Sequence, residues 1–333
     1  MKLREYRPKP SPDALTGVPR DTPPGERVFV VANPASKATF RVLVKLLETA
    51  ASLGLPQPKL LPTTRESPGP QQARDALDQG ADSIIAVGGD GTLRLVAGEL
   101  GSSGVPLSVI PAGSGNIFAR NIGMKVRDYS ANVTLALTGK SAAVDLGWAQ
   151  TNVSATPEPM LVMAGIGREA EAVALATPDL KRALGWGAYV PAIARKAFAP
   201  PMPMRVSLDG GPEQPVRAWS VLAANCPNLT MGMVAFPKAK LDDGVLEVMQ
   251  MLVNNPLQWG PVAAKALANF EAPVSALSYT RGSDIIITTP HPLRAQVDGD
   301  DIAGVRELRV SLAPSALLVR VPEQAPQQGV AHD

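Results

Sequence analysis

The run Ser83-Ile84-Ile85-Ala86-Val87-Gly88-Gly89-Asp90-Gly91-Thr92 constrains the fold more than any other stretch of this chain. Its apolar, β-branched start has the composition of a buried strand, and it runs straight into three glycines that bracket one aspartate. Residues that suit a helix follow from Thr92 to Leu100. Glycines at a strand-to-helix turn permit positive φ and let a ligand approach the backbone closely. The helix start adds unpaired N–H groups and partial positive charge, which suits phosphate. An aspartate at that point is ill placed to hold an anion itself, and well placed for Mg²⁺ or a reacting proton. An ordinary tight turn is the competing reading of such a motif taken alone.

The pattern recurs twice. Leu107-Ser108-Val109-Ile110 reads as a strand, followed by Pro111-Ala112-Gly113-Ser114-Gly115-Asn116 and a helix from Ile117 to about Ile122. Arg27-Val28-Phe29-Val30-Val31-Ala32 ends in Asn33-Pro34-Ala35-Ser36, and the helix after it carries apolar residues at Phe40, Leu43, Val44, Leu47, Ala50 and Ala51 with a 3.6-residue period. Strands alternating with helices predict a parallel sheet with right-handed crossovers. Such sheets bind ligands outside the carboxyl ends of their strands. Three such loops on one edge predict a nucleotide-phosphate site. The amides of Gly88, Gly89, Gly91, Gly113, Ser114 and Gly115 are its donors, with hydroxyls from Thr92 and Ser114. Asn116 can bond phosphate or ribose; helix capping by Thr92 and Ser114 and a structural role for Asn116 stay open.

At 333 residues the chain exceeds the usual size of one core, so two domains are expected. After Val144 the texture changes to short, often alternating segments at 205–208, 219–222, 246–249, 284–288 and 308–312, which predicts an antiparallel β-sandwich. Helical stretches are expected at 178–199 and 256–270. The expected organisation is a nucleotide-binding α/β domain over 26–143, a β-sandwich over 144–312, and a closing strand near 313–322 that rejoins the first domain. Residues 1–25 carry six prolines from Pro8 to Pro24 and residues 323–333 are rich in Gln and Pro, so both are expected to be disordered tails.

The lone cysteine, Cys226, excludes an internal disulfide and fits a reducing cytoplasm. His291 and His332 follow no metal-ligand spacing, and a net charge of +2 gives no case for nucleic acid. No apolar run approaches the roughly 20 residues of a membrane span.

The motifs GGDGT and PAGSGNIFARN resemble those of bacterial diacylglycerol kinases and sphingosine kinase-like lipid kinases, which share their N-terminal fold with NAD kinases and 6-phosphofructokinases. The resemblance continues through Val144-Asp145-Leu146-Gly147, through Met163-Ala164-Gly165-Ile166-Gly167 with Glu169-Ala170, and through Lys181-Arg182 with 184–189. Ala224-Asn225, Pro237 and Leu241-Asp242-Asp243-Gly244 extend it, and Gln296-Val297-Asp298-Gly299-Asp300 ends it, so that about residues 26–322 are covered in order.

This resemblance implies an ATP- and Mg²⁺-dependent lipid kinase acting on a hydroxyl of diacylglycerol or a similar lipid. Asn33 then lies beside the nucleotide. Asp90 and Asp300 share Mg²⁺ handling and activation of the lipid hydroxyl, Asp300 standing one methylene short of the family's glutamate. Asp242 and Asp243 resemble a structural Mg²⁺ site. An acidic hairpin turn is the competing reading of 298–300. Arg94 and Leu95 replace the Asn-Glu pair that follows GGDGT in many relatives. Lys37 replaces the glycine of the usual NPxSG loop, and Arg168 and Glu169 replace an aromatic-Asp pair, changes that bear on headgroup recognition. The expected partners are a membrane lipid substrate and, through the basic and aromatic segment 180–198, a membrane surface, with homodimerisation open. That places the protein in the cytoplasm, peripherally associated with membrane. A degenerate lipid- or nucleotide-binding regulator and an NAD kinase are the alternatives.

Overall fold

The computed structural model describes residues 15, 17, 21, 25–34, 36–175, 196–229, 233–268 and 273–323. The expected tails and the segment 180–198 fall largely outside these residues. Where the N-terminal stretch is described, it touches the fold: Leu15 is buried in the first core, and the Gly17 amide donates to Asp242 Oδ2 at 2.6 Å. The expectation of disorder over the whole of 1–25 is corrected at these points.

The first lobe alternates as its glycine loops require. Its elements are β1 (Val28–Ala32), α1 (Lys37–Ser52), β2 (Lys59–Pro62), α2 (Pro70–Asp78), β3 (Ser83–Gly88), α3 (Asp90–Leu100), β4 (Leu107–Pro111), α4 (Ile117–Asn121) and α5 (Tyr129–Thr138). The strands lie parallel in the order β4-β3-β1-β2. In that register Ala32 pairs with Val87 and Gly88 with Pro111, so the three loops leave the sheet at one edge. One apolar core, with α2 and α3, covers one face, and a second, with α1 and α5, covers the other.

Helix α1 differs from its predicted orientation. Thr39, Val42, Leu46 and Ala50 are buried, whereas Phe40, Val44 and Leu47 are exposed. Two apolar stripes run side by side on this helix, and a 3.6-residue period fits either one. The tertiary connection selects between them: Ser36 caps the helix by accepting from the Thr39 amide, which fixes where the first turn starts relative to β1.

The second lobe is antiparallel. It comprises β5 (Lys140–Thr151), β6 (Glu158–Met160), β7 (Met163–Gly167), α6 (Arg168–Leu175), β8 (Met202–Leu208), β9 (Gln214–Ala218), β10 (Ser220–Ala224), β11 (Leu246–Met251), α7 (Trp259–Ala268), β12 (Leu277–Gly282), β13 (Asp284–Val297) and β14 (Asp300–Val321). The segments expected at 284–288 and 308–312 are inner parts of two much longer strands. These meet at a two-residue turn in which Asp298 and Gly299 both have positive φ (49° and 91°). That is the hairpin geometry an Asp-Gly pair favours. β14 then pairs along β5 from Leu308↔Thr151 to Val321↔Lys140, and Val319 lies parallel to Leu107 of β4. One mixed sheet thus runs through both lobes, parallel in the first and sandwich-forming in the second. The helix expected at 256–270 is a 3₁₀ turn, Pro256–Gln258, leading into α7. No helix of the described residues is long and apolar enough to cross a membrane.

Candidate active site

A cavity of about 540 Å³ opens between the glycine loops and the second lobe. One end is polar: Gly89, Asp90, Gly91, Gly113, Ser114 and Gly115 from the first lobe face Gln296, Asp298, Gly299 and Asp300 from the β13–β14 turn. The other end is apolar, lined among others by Leu222, Met249, Met251, Trp219, Trp259 and Val262. The two indoles pack edge to face with centroids 4.8 Å apart, and their N–H groups donate to the carbonyls of Lys196 and Ala197.

Gly88, Gly89, Gly113 and Gly115 serve close packing, whereas a Cβ on Gly91 would meet nothing within 4 Å. None of Gly88, Gly89, Gly91, Gly113 and Gly115 has positive φ. A Cβ on Gly113 would lie 2.5 Å from Gly89 Cα, and a Cβ on Gly115 would lie 2.9 Å from Asp90 Oδ2. The loops therefore touch backbone to backbone, and Asp90 reaches over Gly115.

Asp90 starts α3, and its Oδ1 accepts from the Phe118 amide at 3.3 Å. Burial pushes its pKa up, opposed by the amides of Phe118, Ile117 and Asn116. The start of α4 is thus occupied by a carboxylate of the protein itself, while the expected phosphate donors are the amides of the glycine loops before it. Asn116 is similarly engaged. It sits in the left-handed region (φ 50°), accepts from the Gly113 amide at 3.0 Å and donates to the Gly113 carbonyl at 2.7 Å. Thr92 packs beneath Gly88, and Asn33 lies at the end of β1; neither these two nor Asn116 lines the cavity.

Asp300 stands at the cavity rim with its side chain 64% exposed, and its Oδ2 accepts from Arg94 at 2.7 Å. Arg94 is nearly buried and also donates to Glu158 at 3.0 Å and to the Pro159 carbonyl at 3.2 Å. Burial opposes its charge, but the bond to Glu158 and the negative charges of Asp298, Asp300 and Glu158 raise its pKa above the ordinary value.

Asp298, which the motif 296–300 leaves without a role of its own, takes one in the structure. The carboxylate is enclosed, and it accepts from the amides of Leu161, Val162 and Met163 at 2.7, 2.9 and 2.8 Å. Burial outweighs these bonds and lifts its pKa to about 6. The signal was present: an Asp-Gly turn between two strands points its aspartate to one defined side. Glu169 is half-buried on the cavity wall, where desolvation lifts its pKa to about 7, and among the described residues its enclosed Oε2 has no hydrogen-bond partner. The Gln296 side chain accepts from the Gly299 amide, while its Nε2 has no partner among the described residues.

Asp242 and Asp243 lie away from the cavity. Asp243 forms an ion pair with Arg281, and Asp242 accepts the Gly17 amide. Neighbouring Asp145 is raised by burial and by the charges of Asp243 and Asp242, and it accepts from Gly244 and Ser315 at 2.7 and 2.8 Å. Among the described residues no three acidic, histidine or cysteine side chains converge to hold a metal. The polar end of the cavity offers only oxygen donors, Asp90 Oδ2 and the Asp300 carboxylate among them, a set that fits Mg²⁺ accompanying a nucleotide.

Residues 27–149 match the family model of the diacylglycerol kinase catalytic domain, and residues 161–321 match that of the YegS C-terminal NAD kinase beta sandwich-like domain. A Pseudomonas fluorescens protein named as a probable YegS-like lipid kinase is 30% identical over 78% of this chain and 83% of its own length. A Mycobacterium tuberculosis diacylglycerol kinase is 23% identical over 74% and 79%. A Synechocystis relative is 29% identical over 76% of this chain, which spans 58% of that relative's length. A crystal structure of a diacylglycerol kinase from Bacillus anthracis shares the fold, with a TM-score of 0.66, 18% identity, and coverage of 90% of this chain and 98% of that one.

Proposed function

This chain belongs to the diacylglycerol kinase family of YegS-like lipid kinases, and we propose from that premise that it transfers the γ-phosphate of ATP to a hydroxyl of diacylglycerol or a similar membrane lipid. The observation that carries this reading is one cavity that joins two glycine loops and four carboxyl side chains, those of Asp90, Glu169, Asp298 and Asp300, to an apolar lining. A lipid needs both ends at once: its hydroxyl at the phosphate and its chains out of water. A soluble acceptor such as NAD⁺ gives no reason for the Trp219, Met249, Met251 and Trp259 wall.

In this reading the amides of Gly89, Gly91 and Gly115 and the exposed Ser114 hold the phosphates. Positioning and charge neutralisation supply most of the rate in phosphoryl transfer. Mg²⁺ would supply charge neutralisation at the phosphates, with Asp90 and Asp300 as its protein oxygens. Asp90 accepts the proton of the lipid hydroxyl as the oxygen bonds to the γ-phosphorus and ADP leaves. Asp298 holds segment 161–163 against the turn and so fixes the floor on which the hydroxyl rests. Glu169 and Gln296, whose Oε2 and Nε2 find no partner among the described residues, meet the polar headgroup.

Contact with a membrane surface is supported by the cavity's surroundings. Leu257 and Phe198 are 88% and 77% exposed. Leu257 lies two residues before Trp259, and Phe198 follows the Ala197 carbonyl that Trp259 bonds. Two bare apolar side chains beside an indole-lined wall suit insertion at a lipid interface.

The test is transfer of labelled γ-phosphate from Mg-ATP to mixed micelles of diacylglycerol, monoacylglycerol, sphingosine, ceramide, phosphatidylglycerol and phosphatidylinositol, with NAD⁺ as soluble control. One lipid class is labelled, and Asp90→Asn lowers that labelling by about 10²-fold or more. Labelling of NAD⁺, or an Asp90→Asn protein at full rate, overturns the reading.

A further inference from the structure

Arg94 is the one charged side chain of α3 that is almost wholly buried, with 4% of its side chain exposed, and it ties together three separate parts of the chain. It projects from the first turns of the helix that Asp90 begins. One nitrogen bonds Glu158 and the Pro159 carbonyl on β6, and the other bonds Asp300 at the mouth of the cavity. The approach is built in. Gly98, one helical turn further along α3, packs so closely on β6 that a Cβ there would lie 2.7 Å from the Pro159 ring. A larger residue at 98 would push α3 away and carry Arg94 out of reach. A planar guanidinium buried between carboxylates from two other segments fixes direction as well as charge.

Resting on the lipid-kinase reading, we propose that Arg94 is a positioning residue that acts through Asp300, drawing the turn of the second lobe over the glycine loop that carries Asp90. Asp300 is exposed, carries a short side chain, and follows a two-residue turn. Without a fixed partner its carboxylate samples several orientations. With Arg94 it is held at the cavity in one. The same contact links α3 to the β13–β14 turn, so one side chain couples the two halves of the candidate active site directly.

The experiment is a double-mutant cycle on the full-length chain with Arg94→Ala, Asp300→Asn and the double variant, read in two ways. In denaturant unfolding, the losses of the single variants fail to add in the double variant, because each removes the same contact. In turnover with Mg-ATP and the lipid labelled by wild type, Arg94→Ala lowers kcat about 10–100-fold while the KM for ATP changes little. The double variant is then no slower than Asp300→Asn alone. Free guanidinium ion restores part of the Arg94→Ala turnover and none of the Asp300→Asn turnover. Additive losses in either cycle, or a fall in KM-controlled rate alone, overturn the proposal. Should Arg94→Ala fail to fold, Arg94→Lys takes its place in both cycles, since it keeps the buried charge and loses the two-pronged geometry. A wild type that labels no acceptor while unfolding coupling persists overturns the kinase reading and leaves the contact between lobes standing; absent coupling overturns the positioning role whatever the activity.

Discussion

Gly89 and Gly113 meet backbone to backbone: a Cβ on Gly113 would lie only 2.5 Å from Gly89 Cα. Two loops that leave neighbouring parallel strands are thereby pressed into one surface. Gly113→Ala must separate them, and we expect about 1–3 kcal/mol of lost stability together with a turnover loss on the order of 10²-fold. Gly91 differs. A Cβ there meets nothing within 4 Å and its φ is not positive, so Gly91→Ala keeps its melting temperature while ATP binding weakens. Thermal unfolding and nucleotide titration on the two variants check this contrast.

Glu169 makes stability fall with rising pH. Its pKa is raised from 4.5 to about 7 by burial, so the folded chain favours the protonated acid. The stabilisation is complete below about pH 4.5 and is lost as pH rises through 7. Glu169→Gln removes this slope, and above pH 7 the variant is more stable than wild type by up to about 3 kcal/mol. Asp298, raised from 3.8 to about 6, contributes the same sign over a lower window, so some slope survives in Glu169→Gln. Urea unfolding at a series of pH values gives the comparison. An unchanged slope in Glu169→Gln counts against a buried, uncompensated carboxyl.

Leu257 separates membrane contact from chemistry. The residue is 88% exposed, so it has little packing to lose. Leu257→Asp therefore lowers association with anionic vesicles several-fold, with a matching fall in turnover on vesicle-borne lipid. Turnover on detergent-dispersed lipid stays near wild type. Equal losses in both assays argue against docking by this turn.

The orientation of α1 is open to a direct stability test. Leu46 is fully buried and Leu47 is exposed, although both belong to apolar stripes of the same helix. Leu46→Ala costs about 2–5 kcal/mol, and Leu47→Ala stays within about 0.5 kcal/mol. Reversed magnitudes would restore the face expected from periodicity.

Much of the candidate site was legible in the chain because its chemistry is local. Gly88 to Thr92 and Gly113 to Asn116 each carry a strand end, a turn and a helix start within a few residues, and parallel pairing of β3 with β4 leaves such loops little choice but to adjoin. The roles inside the loops were less legible. Asn116 closes its own loop on Gly113, and the carboxylate of Asp90 crosses from its loop to the start of α4, so each finds a protein partner that residue type alone does not specify.

By itself, the sequence determined the alternation of the first lobe, the strand-rich second lobe, the glycine-loop edge and the family. These follow from residue-by-residue preferences and from motifs that hold their spacing. Tertiary structure alone decided which stripe of α1 is buried, that Asp298 is enclosed while Asp300 stands at the rim, and that Arg94 reaches across 206 positions to Asp300. The reason is physical: burial and charge pairing depend on what arrives from distant parts of the chain, and one helical or strand period accommodates several such arrangements until packing selects one.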